Sequence, residues 1–283
     1  MSSVPPAPRT PHLVGMASGL PVTVVIPTLN EADRIAACLQ SVSWAAERCV
    51  VDGGSTDDTV AIATRLGARV ITGSFRTISD QRNAAIAAAS HPWVLALDAD
   101  ERATSELEAA IAAVLTAPPG PIAAYRIRMR NRYLGAPMER GSWGRDWHVR
   151  FFRSTLRFEV KRVHEGLQYT GDIGTLQGGI AHDSYRDLYH HLTKVGTYSR
   201  WGAEDLQQRG RSASMSDLVV RPIWRFIRAY VVDGNWRDGR RGLVFSVVHA
   251  WSAFAKYALL WDRERQAAEV PSTLVPPADS SAP

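Results

Sequence analysis

The feature that most constrains this chain is an alternation of short apolar runs with helix-like stretches between residues 22 and 129. VTVVIP, at 22–27, is a β-branched run of the kind that forms a strand buried on both faces. The pattern then predicts a helix over 32–42, with Asn30 and Asp33 available as caps, and a strand over 48–51. A helix over 57–66, started by Ser55 or Thr56, leads to a strand over 69–72. A small-residue helix over 81–89, a strand over 93–97, a helix over 105–115 and a strand over 123–129 complete the series. Such repetition predicts a mostly parallel, doubly wound α/β sheet with helices on both faces. Ligands of such sheets bind beyond the carboxyl ends of the strands.

Three polar clusters follow these strands: Pro27-Thr28-Leu29-Asn30-Glu31, Asp52-Gly53-Gly54-Ser55 and Asp98-Ala99-Asp100. If the strands are neighbours, the clusters converge on one crevice. An acid after the second strand is what a nicotinamide-dinucleotide fold uses to hold a ribose, but that fold also needs a glycine-rich turn after the first strand. Here the turn reads PTLNEAD, without glycine, and the phosphate loop GxxxxGK[ST] is absent. Both observations argue against a redox dinucleotide or an ATPase. Asp98 and Asp100, two apart after WVLAL, can face one cation. Mg²⁺ or Mn²⁺ suits such oxygen ligands, bound through one or two carboxylates plus substrate phosphates. The alternative for a short acidic pair is a solvated loop or a helix cap.

PTLNEADRI, VDGGSTDDTV and QRNAAIAAASHPWVLALDADE, in this order over roughly residues 22–105, resemble the successive signatures of family 2 glycosyltransferases with the GT-A fold. The later WHVRFFR, RVHEGL and HDSYRDLYHHLTKVGTYSRWGAEDL are similar to the bacterial subgroup that includes lipopolysaccharide-core β-1,4-glucosyltransferases. The resemblance implies a Rossmann-like GT-A sheet and a metal-dependent, inverting hexosyl transfer. The donor would be a nucleotide diphosphate sugar, with UDP the expected nucleotide. The acceptor would be a lipid-linked cell-envelope glycan such as a lipopolysaccharide core. Carried over by position, the resemblance implies that Pro27, Thr28, Asn30, Glu31 and Gly54 line the nucleotide pocket and that Asp52 binds the base. Arg82 would reach the nucleotide or its phosphates, Asp98 would lie near the ribose or the metal, and Asp100 would ligate the metal. His182 is a candidate third ligand or diphosphate contact, or else an ordinary structural histidine.

An inverting transfer needs a base for the acceptor hydroxyl. The late acidic pair of many family members is missing in its common form, and Glu165 in RVHEG stands in the comparable stretch. His164 is the alternative base or an orienting neighbour, and an ion pair from Glu165 to Arg162 is the structural alternative. Two other functions stay open at this stage: transfer to a polyprenyl phosphate, and a non-catalytic GT-A fold that only binds nucleotide or membrane partners.

Residues 130–180 are rich in Arg, Gly and aromatics, with weak strand signals over 148–153 and 173–177. Trp143, Trp147, Arg150 and Arg153 read either as acceptor contacts or as packing. Helical patterns follow over 188–207, 218–232 and 242–265. The expected organisation is a nucleotide-sugar half at 21–130, an acceptor-side half at 131–215 and a helical appendage at 216–266, between flexible tails at 1–20 and 267–283.

The net charge of +5 is local: residues 221–265 hold nine Lys/Arg, four Asp/Glu and four of the nine tryptophans. Arg221, Arg225 and Arg228 share one helix face beside Ile223, Trp224 and Phe226, as in helices that lie on anionic lipid. The alternative is a helical hairpin packed on the catalytic domain. No nucleic-acid-binding module is recognisable. The apolar run at 243–261 carries His249 and Lys256 and falls short of a clear membrane span. No secretory leader is visible, and Cys38 and Cys49, without metal-ligand spacing, read as reduced buried thiols. A cytoplasmic protein at the inner face of a bacterial inner membrane is the expectation.

Overall fold

The computed structural model describes residues 19–269, apart from 119, 142 and 160–165. The described residues fall into two compact units, one from Met1–Met129 and Trp147–His182, the other from Arg130–Asp146 and Asp183–Pro283.

In the first unit β1 (Leu20–Thr28), β2 (Ala45–Asp52), β3 (Arg69–Thr72) and β4 (Trp93–Ala96) are joined through α1 (Ile35–Ser41), α2 (Thr59–Arg65) and α3 (Ile78–Ala87). All four strands are parallel, in the order β3-β2-β1-β4. Chain order therefore reverses between β1 and β4. Such a switch point opens a crevice beyond the strands' carboxyl ends. Beyond β4 the sheet becomes mixed. Its further elements are β5 (Glu101–Ala103), α4 (Ser105–Thr116), β6 (Ala124–Tyr133), β7 (Ala136–Pro137) and β8 (Trp147–Arg153). β8 runs antiparallel to both β4 and β6. A separate hairpin pairs β9 (Arg157–Phe158) with β10 (Leu167–Gln168), and β11 (Ile173–Thr175) lies parallel to β6. β12 (Ile180–Asp183) pairs antiparallel with β5 and sets His182 opposite Glu101.

The two-residue period of a strand divides the core into two layers. Trp93, Leu95 and Leu97 pack with Ile35 and Leu39 of α1 and Leu107 and Ile111 of α4, whereas Val94 and Ala96 face Ala85 and Ile86 of α3. Helices thus cover both faces of the sheet, as the alternation predicts.

Three expected helix starts in this unit move, the third being α3, which begins at Ile78, not 81, where the Thr77 hydroxyl accepts from the Asp80 amide. α1 begins at Ile35, not 32, because Asn30 adopts a left-handed backbone (φ 56°) and spends its side-chain oxygen on the Thr56 amide, 2.8 Å away. α2 begins at Thr59, because the Ser55 hydroxyl is bound to Asp52 and caps no helix. Arg150 is buried against two carboxylates, and the Arg153 guanidinium lies 4.1 Å from the Trp93 ring centroid. Cys38 and Cys49 are free and buried, and burial raises both thiol pKa values.

The second unit is helical, with α5 (Leu188–Gln208), α6 (Met215–Ile227) and α7 (Gly239–Glu269). Ser214 and Asp217 form a reciprocal capping box that starts α6 three residues earlier than the apolar pattern suggested. α6 continues into wider π-type turns over Arg228–Val232. Trp143 packs with Tyr133, Tyr185 and Phe245 in an aromatic core, so packing is its role. Contrary to the expectation for the apolar run at 243–261, Asn235–Glu269 contains a stretch long and apolar enough, by length and composition alone, to cross a membrane.

Candidate active site

The crevice at the switch point is edged by the loops after β1, β2 and β4, all within the first unit. The first two loops are tied to each other. The Asn30 amide donates to Ser55 Oγ (2.9 Å), the Glu31 amide to Thr59 Oγ1 (2.8 Å), the Ala32 amide to Asp57 (3.1 Å) and the Gly53 amide to the Thr28 carbonyl (2.9 Å). Pro27 and Thr28 close β1 in register with Val51 and Asp52 of β2. The Asp52 carboxylate is buried and accepts from the amides of Gly54 and Ser55 (2.9 Å each), the Ser55 hydroxyl and Thr28 Oγ1 (3.4 Å). With its lone pairs engaged this way, Asp52 holds the shape of the loop after β2. Gly54 supplies the turn that this requires, at φ +100°. Gln81, which the sequence analysis passed over, clamps both strand ends by donating to the carbonyls of Thr28 (3.0 Å) and Val51.

Asp98 sits between two guanidiniums, Arg82 and Arg150, the latter at 3.0 Å. Arg150 also reaches Glu101 Oε1 (2.6 Å), while Glu101 Oε2 accepts the Asp98 amide (2.9 Å). Burial alone would raise the Asp98 pKa, but the two arginines outweigh it and hold the carboxyl far below the ordinary range. Burial raises Glu101 above its ordinary value, against the pull of Arg150. Neither Glu101 nor this use of Arg150 was foreseen. The one available signal was an arginine inside an apolar run, WHVRFFR.

Asp100 faces a different set of neighbours. Its Oδ2 lies 3.3 Å from Arg34 Nη1 and 3.7 Å from His182 Nε2. The β5–β12 register produces the second contact, across 82 residues of sequence. Burial disfavours a charged imidazole, yet the hydrogen bond to Asp100 and the nearby carboxylates raise the His182 pKa above its ordinary value. The structure therefore brings Asp100 and His182 together and assigns Asp98 to the arginines. Among the described residues no group of three or more His, Cys, Asp or Glu side chains is arranged to hold a metal ion. The Asp100–His182 pair nonetheless offers one oxygen and one nitrogen donor, a set that fits a divalent cation whose remaining ligands come from a diphosphate and water.

Glu165 and His164 lie outside the described residues. The hairpin that brackets them is anchored at the site, however. Asn83 exchanges two hydrogen bonds with the Phe158 backbone (2.9 Å each), and the Arg82 guanidinium lies 5.2 Å from the Phe158 ring centroid. The Glu159 amide bonds to the Gly166 carbonyl (2.8 Å).

A family model described as Glycosyl transferase family 2 matches residues 23–174. An uncharacterized glycosyltransferase of Rickettsia prowazekii is 31% identical over 255 residues, covering 85% of this chain and 87% of the relative. A lipopolysaccharide core biosynthesis glycosyltransferase of Rhizobium meliloti, LpsC, is 27% identical over 256 residues, covering 88% and 94%. Among solved structures, glucosyl-3-phosphoglycerate synthase from Mycobacterium tuberculosis, in complex with Mn²⁺, UDP and glucosyl-3-phosphoglycerate, is 26% identical. It covers 39% of this chain and 44% of its own length, with a TM-score of 0.33.

Proposed function

We propose, from the premise that this chain belongs to glycosyl transferase family 2, that it moves a hexose from a UDP-sugar to a lipid-linked glycan with inversion at the anomeric carbon. The observation that carries this reading is the pairing of Asp100 with His182 at the switch-point crevice. Asp100 and His182 would hold Mn²⁺ or Mg²⁺ against the diphosphate. When bound, such an ion neutralises charge on the departing nucleotide. Arg82 stands beside Asp98 to meet the phosphates or ribose, and the loop shaped by Asp52 and Gly54 receives the uracil. The acceptor oxygen bonds to the anomeric carbon as the bond from that carbon to the β-phosphate oxygen breaks. UDP leaves, and Glu165 takes the hydroxyl proton.

The lipid-linked acceptor draws support from the lipopolysaccharide core relative and from the surface of the second unit. Leu243, Val247, Trp251, Phe254 and Trp261 are exposed along α7 and, at the α-helical pitch, fall within an arc of about 80°. The opposite side of α7 buries Phe245, Val248, Tyr257 and Leu260 within the second unit. A helix with one packed side and one bare apolar stripe suits lying in a membrane surface better than crossing it. The reading therefore puts the protein at the inner face of the bacterial inner membrane.

The test is a panel of UDP-sugars with Mn²⁺, followed by UDP release and thermal stabilisation, on the wild type and on Asp100→Ala and Glu165→Gln. One UDP-sugar should be turned over. Asp100→Ala should lower kcat/KM by roughly a hundredfold or more and remove the metal dependence of UDP binding. Glu165→Gln should lower kcat while leaving UDP affinity intact. Turnover by Asp100→Ala with its metal response unchanged overturns the metal assignment, and wild-type kcat in Glu165→Gln overturns the base.

A further inference from the structure

The second unit contains a pocket of about 370 Å³ between α5, α6 and α7, and its lining is cationic. Arg221, Arg225 and Arg228 enter it from α6 and its continuation, and Lys256 enters from α7. Tyr198 and Trp224 supply aromatic walls. No carboxylate lines it. Arg221 is bound to Asp217, at the foot of α6. Among the described residues neither Arg225, Arg228 nor Lys256 has a carboxylate within ion-pair distance, and the Lys256 ammonium rests 4.8 Å from the Tyr257 ring centroid. Four cations around one carboxylate leave a concentrated positive field. Burial, then Arg225 and Arg221, lowers the Lys256 pKa, and Arg225 also helps depress His249. Charges crowded in this way repel one another until an anion joins them.

The surroundings say what kind of anion fits. Val220, Ile223, Trp224 and Ile227 lie exposed on α6, and with the α-helical period they occupy an arc of about 100° along one side of the arginine row. The anion-binding groups are therefore bordered by bare apolar side chains. Guanidiniums grip phosphate oxygens in pairs, and a doubly charged phosphate offsets more of this field than a singly charged one.

We propose that this pocket binds the phosphomonoester headgroup of a membrane lipid, with its acyl chains lying along the exposed apolar stripes of α6 and α7. The pocket stands on its own geometry. Only the lipid origin of the phosphate rests on the membrane reading above.

The experiment uses the full chain in flotation with phosphatidylcholine vesicles containing phosphatidic acid or, at matched surface charge, phosphatidylserine. Calorimetry with soluble dihexanoyl phosphatidic acid and with inorganic phosphate runs beside it. Wild type should prefer phosphatidic acid vesicles and bind the short-chain lipid more tightly than inorganic phosphate. Arg225→Gln with Arg228→Gln should weaken both phosphatidic acid forms by about tenfold or more and remove the preference over phosphatidylserine. Lys256→Met should do the same to a smaller degree, with unchanged circular dichroism in each variant. Equal binding to both vesicle types, lost in parallel in the variants, overturns the pocket in favour of diffuse surface charge. Inorganic phosphate binding as tightly as the short-chain lipid overturns the lipid source. Binding of the short-chain lipid without flotation on any vesicle leaves the pocket standing and overturns the membrane reading instead.

Discussion

Arg150 bridges Asp98 and Glu101, and Glu101 is completely shielded from solvent. Removing the guanidinium strands a buried carboxylate, which costs about 3–5 kcal/mol in comparable buried pairs. Arg150→Met should therefore lower unfolding free energy by that order in urea titration. Arg150→Met combined with Glu101→Gln should recover a large part of it, since the unpaired charge is then gone. Full additivity of the two single changes would show that the residues do not act as a pair. Asp98 contributes through Arg82 first and then Arg150: together they overcome burial and keep its carboxyl ionised far below the ordinary range, so the stability it adds is present at neutral pH and is lost progressively as pH falls below about 4. Much of this cluster was hidden from the sequence. Asp98 announces itself after an apolar strand, but which cations neutralise it depends on β8 pairing antiparallel with β4, and no local spacing encodes that pairing.

At the scale of elements, the parallel half of the sheet was legible because β1, β4 and the Cys49–Val51 end of β2 are β-branched or continuous apolar runs that only a doubly covered sheet buries. The starts of α1 and α2 were not legible, because Asn30 and Ser55, both good caps, hold the loops after β1 and β2 instead, whereas α4 and α5 begin where the pattern puts them. Past the strand over 123–129, which becomes β6, the mixed part of the sheet was read only as weak strand signals, since Arg and Gly break its apolar pattern. The same loop logic yields a prediction at Gly54. A Cβ there would meet no atom within 4 Å, so any penalty for Gly54→Ala comes from the backbone at φ +100° and not from a clash. We expect a loss of about 1–2 kcal/mol in thermal unfolding, together with weaker UDP binding as the amides of Gly54 and Ser55 swing off Asp52. Gly53→Ala, where the nearest atoms sit at an ordinary 3.5 Å and φ is not positive, should be the milder change in both measurements.

At the scale of the whole molecule, the two units respond to acid through different chemistry. The aromatic core of the second unit holds His191, whose Nδ1 lies 2.9 Å from the Tyr133 hydroxyl and whose ring stacks on Tyr185 at 3.8 Å. Burial first, and then the nearby His249 and Lys194, depress the His191 pKa to about 4, and His249 is held at about 4 by burial and Arg225. Both histidines are neutral in the fold, whereas in the unfolded chain they take up protons near pH 6.5. Between pH 6.5 and 4 the unfolded state therefore binds more protons, and the stability of this unit declines as pH falls through that window. The full shift at His191 corresponds to on the order of 3 kcal/mol. Urea unfolding followed by near-ultraviolet circular dichroism should show the helical unit losing stability from pH 7 to pH 4.5. His191→Gln, which can still hydrogen-bond Tyr133 but does not titrate, should start less stable at pH 7 and lose less on acidification. An equal loss in the two proteins would mean that His191 titrates in the fold as it does in the unfolded chain. In that case burial would not depress it, and the acid response of this unit would have to come from His249.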